Sequence, residues 1–362
     1  MAGEFEAREY LMPSSRWLIA CGIAFLVSAV GCEVVRTFAV RHALLDKPNA
    51  RSLHQVPVPR IGGVAVVLSV YVAFLVANGF AVGFADPGFK MLALAVPVAV
   101  AGLVDDLKPL PASIRFALQI AVSLGLLFFV DQGPLTLWKG YDLTLSRPVF
   151  LALGTIWIVA VLNIYNFMDG MDGLAGSQTF FAGASLAYVL AVSGRSSLSI
   201  LVAATAAAAA GFLLHNRPPA RIFMGDACST FLGFLFAAVP VVSAMPSHDA
   251  ASTTVPFLAG PLALAPFLLD GTFTLLRRAS KGEKVWQAHR THLYQRAVAT
   301  GLGHRDVLVR YLAWFVVSAS AVVMAVGGRE WTAIVTVVLG LALTWSWVRR
   351  RETLNPKKPD AA

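Results

Sequence analysis

The sequence predicts an all-α protein that crosses a membrane about 10–11 times. Hydrophobic residues make up 57% of its 362 positions and charged residues only 14%, and the mean hydropathy is +0.70. A soluble domain carries roughly 25% charged residues. The apolar residues form runs of about 20, the length of a helix that spans a bilayer, and polar motifs occur where these runs end. These features are typical of a polytopic membrane protein.

Eleven apolar runs are candidates for membrane-spanning helices. They cover residues 17–35, 61–84, 91–104, 114–130, 148–165, 174–193, 198–214, 229–245, 255–276, 311–327 and 331–348. The third run is short, which predicts a tilted or partly interfacial helix. Small residues at 203–211 predict close approach by a neighbouring helix. We expect one membrane domain over residues 1–362, with the motifs within about 46–300 and a flexible tail at 349–362.

The distribution of basic residues predicts the orientation of the chain. Eleven crossings place the termini on opposite sides, and alternate connections then collect 22 of the 29 Lys and Arg residues on one side and 7 on the other. Cytoplasmic loops are enriched in Lys and Arg, so the side with 22 is predicted to be the cytoplasm. The amino terminus is therefore expected outside and the carboxyl terminus inside. The positive net charge needs no nucleic-acid partner.

A polar stripe is predicted in the segment NIYNFMDGMDGLAG, which follows an uncharged run. Asn163, Asn166, Asp169 and Asp172 stand at a spacing of three. Residues three apart share one face of a helix. Burying an unpaired carboxylate costs several kcal/mol, so the two acids predict a bound cation as their partner.

Further acids stand where other apolar runs begin or end. Asp105 and Asp106 are adjacent, and a like-charged pair beside apolar residues favours a divalent ion. Successive helical residues point about 100° apart, so one acid can ligate a metal while the other orients substrate or water. Asp226 precedes another apolar run, where an ordinary helix cap is an equal alternative.

A basic segment follows the ninth apolar run and interleaves histidine with arginine. His289, Arg290, His292 and Arg296 are donors suited to phosphate oxygens. The sequence contains neither the glycine-rich loop of P-loop NTPases nor the dinucleotide-binding fingerprint. The residues therefore favour a site for phosphates and a divalent metal.

Five motifs in order resemble those of the bacterial polyprenyl-phosphate N-acetylhexosamine-1-phosphate transferases, glycosyltransferase family 4. The motifs are DKPNARSLHQVPVPRIGG, GLVDDLKPLPASIRFALQ, NIYNFMDGMDGLAG, NRPPARIFMGD and HRTHLYQR. The resemblance implies transfer of a sugar-1-phosphate from a UDP-N-acetyl sugar to undecaprenyl phosphate, with release of UMP, at the cytoplasmic face of the bacterial inner membrane. It also implies Mg²⁺, with Mn²⁺ as a substitute. Membrane lipid is a predicted partner, and so is a second copy of the chain in a homodimer.

The same resemblance assigns roles to individual residues. Asp226 is implied as a metal ligand, assisted by Asp105 or Asp169. The predicted catalytic set is Asp105, Asp106, Asp169 and His292, in which Asp106 positions the attacking phosphate. Asn216 and Phe223 are implied to lie beside the nucleotide, with Phe223 stacked on uracil. The predicted substrate-binding set is Asn163, Asn166, Asp172, Asn216, Phe223, His289, Arg290, Arg296 and Arg60.

Two questions stay open at the level of sequence. Many relatives that use UDP-N-acetylglucosamine carry D-R-x-H-L-H-H-R where this chain has HRTHLYQR, with exchanges at His289, Tyr294 and Gln295. This resembles the subgroup that initiates O-antigen with 6-deoxy N-acetylhexosamines. The alternative function is a transporter or channel that uses the acids for ions, with Asp270, inside an apolar run, as a relay residue.

Overall fold

The computed structural model describes residues 15–46, 56–247, 252–283 and 290–354. The protein is mostly helical, with 74% of residues in helices and 3% in strands, which confirms the all-α class. The helices in these ranges are α1 Ser15–Arg41, α2 Gly63–Asn78, α3 Pro87–Leu107, α4 Ala112–Phe129, α5 Arg147–Met168, α6 Leu174–Val192, α7 Ser196–Asn216, α8 Asp226–Ser243, α9 Ala259–Ala263, α10 Ala265–Ala279, α11 Leu293–Ala299, α12 His304–Val326 and α13 Glu330–Leu354. The strands are β1 Leu45–Asp46, β2 Val58–Pro59, β3 Leu135–Trp138 and β4 Tyr141–Leu143.

The predicted polytopic architecture is confirmed by nine helices in the described ranges that are long and apolar enough to cross a membrane. They are α1, α3 to α8, α12 and α13. Helix α2 is apolar but has only 16 residues. Two of the predicted runs were wrong in extent. The run 61–84 ends as a helix at Asn78, where Gly79 adopts a left-handed φ of 84°. The run 255–276 is broken at Leu264 into α9 and α10, and Pro266 at the start of α10 has no N–H for the preceding turn.

Several other helices are longer than predicted, among them α3 and α13. Helix α3 covers 21 residues, because Asp86 accepts a hydrogen bond from the Phe89 N–H at 2.8 Å and begins the helix at Pro87. The predicted short helix was therefore wrong, and the acids near its end lie inside α3. Helix α13 continues to Leu354, so residues 349–354 of the predicted flexible tail are helical.

The predicted close approach at residues 203–211 is confirmed by the contact between α7 and α1. The Ser28 hydroxyl on α1 donates to the Ala208 carbonyl oxygen on α7 at 2.7 Å. A Cβ atom at Gly211 would lie 2.5 Å from the Phe25 carbonyl oxygen. Small side chains thus allow the two backbones to touch, which is how membrane helices pack without a hydrophobic driving force.

The helices alternate in direction, so their connections gather at two ends of the bundle. One end holds the α3–α4, α5–α6 and α7–α8 connections, and we call it the polar end. The opposite end holds the β3–β4 hairpin, in which Thr136 pairs through its backbone with Ala244 after α8 and with Phe257 before α9. All the motif-bearing connections described in the structure therefore meet at the polar end, as the sequence predicts.

Candidate active site

Three carboxylates meet at the polar end, where α3 ends and α8 begins. Asp105 and Asp106 occupy the last turn of α3, and Asp226 is the first residue of α8. The helices approach closely because Gly102 has no side chain: a Cβ atom there would overlap the backbone of Asp226 and Ala227. Asp105 and Asp106, which are adjacent on α3, therefore both lie close to the start of α8.

Asp106 caps α8 from the neighbouring helix. Its carboxylate accepts from the Asp226 N–H at 2.9 Å and from the Ala227 N–H at 3.0 Å, and Arg60 Nε lies 2.9 Å from Oδ1. Gly225, with a φ of 79°, makes room, because a Cβ atom there would be 2.6 Å from Asp106 Oδ2. The carboxylate has no exposed surface. In this structure the carboxylate satisfies the first N–H groups of α8, and the role predicted for Asp106, positioning the attacking phosphate, stays a prediction.

Asp105 and Asp226 form a second unit with two arginines. Arg115 Nη1 lies 2.6 Å from Asp105 Oδ2 and 3.9 Å from Asp226 Oδ2. Arg60 Nη2 lies 3.4 Å from Asp226 Oδ1, so Asp226 stands between two guanidinium groups. Arg115 was not among the residues predicted from the sequence. The sequence feature that could have indicated it is its position: Arg115 lies in the first turn of α4, and the amino-terminal end of a helix disfavours positive charge.

Asn163 and Asn166 form the helical part of the predicted polar stripe. Asn163 Nδ2 donates to Gln119 Oε1 on α4 at 2.8 Å, and Ser229 Oγ on α8 donates to Asn166 Oδ1 at 2.6 Å. The stripe thus connects α5 with α4 and α8. Gln119 and Ser229 are polar members of the site that were not predicted from the sequence.

The stripe does not continue on one helix face, because α5 ends at Met168. Asp169 follows directly and is half-buried; burial, and then the nearby Asp106 carboxylate, raise the pKa of Asp169 to about 7. Asp172 lies in the turn before α6, where Oδ2 accepts from the Ala220 N–H at 3.0 Å and is 3.1 Å from His304 Nδ1. The prediction of four residues in helical register was therefore wrong for the two acids.

Asn216 joins the turn before α6 to the α7–α8 connection. Its Oδ1 accepts from the Gly173 N–H at 2.9 Å, and its Nδ2 donates to the Ile222 carbonyl oxygen at 2.8 Å. Phe223 is half-buried, and its N–H donates to the Pro59 carbonyl oxygen at 2.7 Å. The implied nucleotide contacts of Asn216 and Phe223 stay predictions, and the Asn216 amide is engaged by the backbone.

The histidine segment reaches the polar end between α10 and α12. His289 lies outside the described residues, and Arg290 is exposed. His292 is buried, with Nδ1 3.6 Å from Asp270 Oδ1. Arg296 was predicted to bind phosphate, but its Nε and Nη2 each contact a carboxylate oxygen of Glu352 on α13 at 2.8 Å. That bidentate pair holds the Arg296 guanidinium to the end of α13.

The chemistry of Asp105 and Asp226 fits a divalent cation. A guanidinium nitrogen of Arg115 already lies between the two carboxylates, so positive charge is stabilised there. Mg²⁺ is commonly held by one or two carboxylates together with substrate phosphates. Within the described ranges no three Asp, Glu, His or Cys side chains form a metal-binding group, and the predicted assistance of Asp226 by Asp105 or Asp169 stays a prediction. The residues fit a site of two carboxylates.

Comparisons with known proteins agree with the predicted family. The model for "Glycosyl transferase family 4" matches residues 89–244. A probable undecaprenyl-phosphate N-acetylglucosaminyl 1-phosphate transferase of Bacillus subtilis is 30% identical, over 85% of this chain and 85% of that protein. A decaprenyl-phosphate N-acetylglucosaminephosphotransferase of Mycobacterium tuberculosis is 28% identical, over 90% of this chain and 88% of that protein. The undecaprenyl-phosphate alpha-N-acetylglucosaminyl 1-phosphate transferase of Escherichia coli K12 is 27% identical, over 90% of this chain and 89% of that protein. The five motifs thus predict the family correctly, and the chain belongs to glycosyl transferase family 4.

Proposed function

We propose that the protein transfers a sugar-1-phosphate from a UDP-N-acetylhexosamine to undecaprenyl phosphate and releases UMP. The observation that carries this proposal is the cluster of Asp105 and Asp226 with Arg60 and Arg115 at the polar end of a membrane helix bundle. The relatives in Bacillus, Mycobacterium and Escherichia are named for transfer to a polyprenyl phosphate, which supports the same reaction class for this chain.

The reaction joins two anions, so the site must offset negative charge. An oxygen of the lipid phosphate attacks the phosphorus next to the sugar, the bond from that phosphorus to the bridging oxygen breaks, and UMP leaves. Arg60 and Arg115 are the cations beside the acids, and His292 is a further donor. A phosphate monoester has a second pKa of about 6, so the attacking group is mostly dianionic at neutral pH and needs no general base.

The residues that would hold Mg²⁺ are Asp105 and Asp226. A bound Mg²⁺ would supply charge stabilisation on the diphosphate. Asp106 would act indirectly, since its carboxylate holds the start of α8 and so fixes the position of Asp226. Asp169 directly follows α5, the helix that carries Asn163 and Asn166, and stays a candidate catalytic residue.

The orientation follows from the location of the donor. Nucleotide sugars are made in the cytoplasm and do not cross a bilayer unaided, so the polar end faces the cytoplasm in this proposal. The charge distribution supports it, with 22 basic residues on that side and 7 on the other. The amino terminus is then outside and the carboxyl terminus inside a bacterial inner membrane.

The identity of the sugar is the finer part of the proposal. The HRTHLYQR segment favours a 6-deoxy N-acetylhexosamine and initiation of O-antigen, whereas the Bacillus and Escherichia relatives are named for N-acetylglucosamine. Both donors carry the diphosphate that the acid and arginine cluster would engage. The choice between them therefore needs a direct assay.

The test is UMP release by the purified full-length protein. It is supplied with undecaprenyl phosphate and Mg²⁺, and UDP-N-acetylglucosamine is compared with UDP-N-acetyl-6-deoxyhexosamines. We expect UMP from at least one donor only when the lipid phosphate is present, and none from an Asp226→Asn variant. Absence of UMP with every donor from the folded wild-type protein would overturn the proposal. Solute flux through proteoliposomes without UMP would favour a transporter.

A further inference from the structure

One fully buried carboxylate is not used by the proposed chemistry. Asp270 lies on α10 with 0% of its surface exposed. Its Oδ2 accepts from the Tyr311 hydroxyl on α12 at 2.6 Å, and its Oδ1 accepts from the Leu293 N–H on α11 at 2.8 Å. Thr274 Oγ1 is 3.3 Å from the same Oδ1. The acid thus lies at the junction of three helices and is engaged from all of them.

Asp270 also faces the imidazole of His292. The distance from Oδ1 to Nδ1 is 3.6 Å, and only 2% of His292 is exposed. His292 directly precedes α11, so the Leu293 N–H and the His292 ring approach the same carboxylate oxygen. One carboxylate therefore binds the backbone at the start of α11 and lies beside the side chain that precedes it.

Tyr294 connects this pair with the acid cluster. Its ring stacks on the His292 ring with centroids 5.9 Å apart and planes inclined by 17°. Its hydroxyl donates to the Phe167 carbonyl oxygen at 3.3 Å, two residues before Asp169. A Cβ atom at Gly170 would overlap the same hydroxyl. The imidazole is therefore packed one aromatic ring away from the turn that carries Asp169.

We propose that Asp270 is a positioning residue for His292 in the transfer reaction, and this inference rests on the proposed function. At 3.6 Å the contact is longer than a hydrogen bond, so the buried carboxylate acts on the ring through its charge, which favours a proton on Nδ1, as carboxylates do for the histidines of many sites. A neutral amide would suffice as an acceptor for the Leu293 N–H alone. Burying a charge at this point is better explained by its action on the imidazole.

The test is a double-mutant cycle on Asp270 and His292. Asp270→Asn keeps an acceptor for the Leu293 N–H but removes the charge, and we expect kcat to fall about 10–100-fold, the usual cost of losing such a partner, with little change in KM for the UDP-sugar. If Asp270 acts through His292, the variant Asp270→Asn/His292→Gln has the same kcat as His292→Gln. If instead the fold-loss in kcat of the double variant equals the product of the losses in the two single variants, the proposal is overturned.

Tyr311→Phe is the matched control, because it removes the hydrogen bond to Oδ2 of Asp270 and leaves the contacts of Oδ1 in place. We expect a lower melting temperature but a kcat near that of the wild type. A kcat as low as that of Asp270→Asn would show that burial of the acid, rather than its contact with His292, is what matters, and would refute the proposal.

A measurement on the wild-type protein covers the case in which Asp270→Asn does not fold. Ring ¹⁵N NMR of histidine-labelled protein, with the His292 signals assigned by their loss in His292→Gln, is expected to show a proton on Nδ1. An unprotonated Nδ1 would contradict the inference. If wild-type protein releases no UMP, the proposed function itself fails; if it turns over and the cycle is multiplicative, only the role of Asp270 is wrong.

Discussion

The substitution Asp106→Asn tests whether Asp106 stabilises the start of α8 as a helix cap or acts directly on the substrate. Three donors point at the two oxygens of Asp106: the Asp226 N–H and Arg60 Nε at Oδ1, and the Ala227 N–H at Oδ2. An asparagine offers one oxygen and one NH₂ group. In either orientation its NH₂ faces at least one of these donors, so at least one hydrogen bond is lost and the others no longer involve a charged acceptor.

The expected cost follows from these contacts. Hydrogen bonds to a charged group contribute about 1.5–3 kcal/mol each, and loss of a helix cap costs about 0.5–2 kcal/mol. We therefore expect Asp106→Asn to destabilise the protein by about 2–4 kcal/mol and to reduce turnover because Asp226 moves with the start of α8. The assay is thermal unfolding in detergent, measured together with UMP release.

Asp86→Asn is the matched control at the opposite end of the bundle. Asp86 also caps a helix, but the Phe89 N–H and the Ser197 hydroxyl both contact Oδ1, so an amide oxygen can replace it. Asparagine is as good an N-cap as aspartate, and we expect wild-type stability and turnover. If Asp106→Asn unfolds at the same temperature as the wild type yet loses activity, the capping role is refuted, because Asp106 would then act on the substrate.

Three further predictions concern the metal, the missed arginine and the orientation. Asp226→Asn should lower UMP release by at least about a hundredfold while the protein stays folded, because Asp106 and not Asp226 caps α8; near-normal turnover in Mg²⁺ would remove Asp226 from the metal site. Arg115→Gln should lower turnover by about a hundredfold and also lower the Mg²⁺ concentration for half-maximal activity, since the guanidinium no longer competes for the carboxylates; unchanged turnover would contradict this. In a cysteine-free background, Ser247→Cys should react with an impermeant thiol reagent in intact cells and Lys281→Cys only after permeabilisation; labelling of Lys281→Cys in intact cells would refute the orientation.

Hydropathy was sufficient to predict the architecture, because it records the property that places a segment in a bilayer. It could not locate the break at Leu264, since the residues on both sides are equally apolar. Pro261 and Pro266 nearby were the available signal. The end of α2 was missed for the same reason: the chain stays apolar after Gly79, although the helix stops there.

The candidate site was predictable where its residues are neighbours in sequence, and less so where the partner is distant. Asp105, Asp106 and Asp226 were found because acids are rare in this chain, but their arrangement was not. The capping contact of Asp106 joins residues 120 positions apart, and no spacing rule indicates it. Arg115, Gln119 and His304 are polar residues outside the predicted site whose role is set by what they face across the helices.

The charges at the polar end explain how an apolar chain can carry so many acids. Asp172 faces His304, and Asp270 faces His292 and Tyr311, so each of these acids has partners of its own. Four further carboxylates, Asp105, Asp106, Asp169 and Asp226, lie with the cations Arg60 and Arg115 among the contacts described. With all four ionised, this leaves an excess of two negative charges, the charge that one divalent cation neutralises. Burial is the main cause that raises the pKa of Asp169, and the nearby Asp106 carboxylate adds to it, so taking up a proton is the other way in which the cluster can relieve the excess.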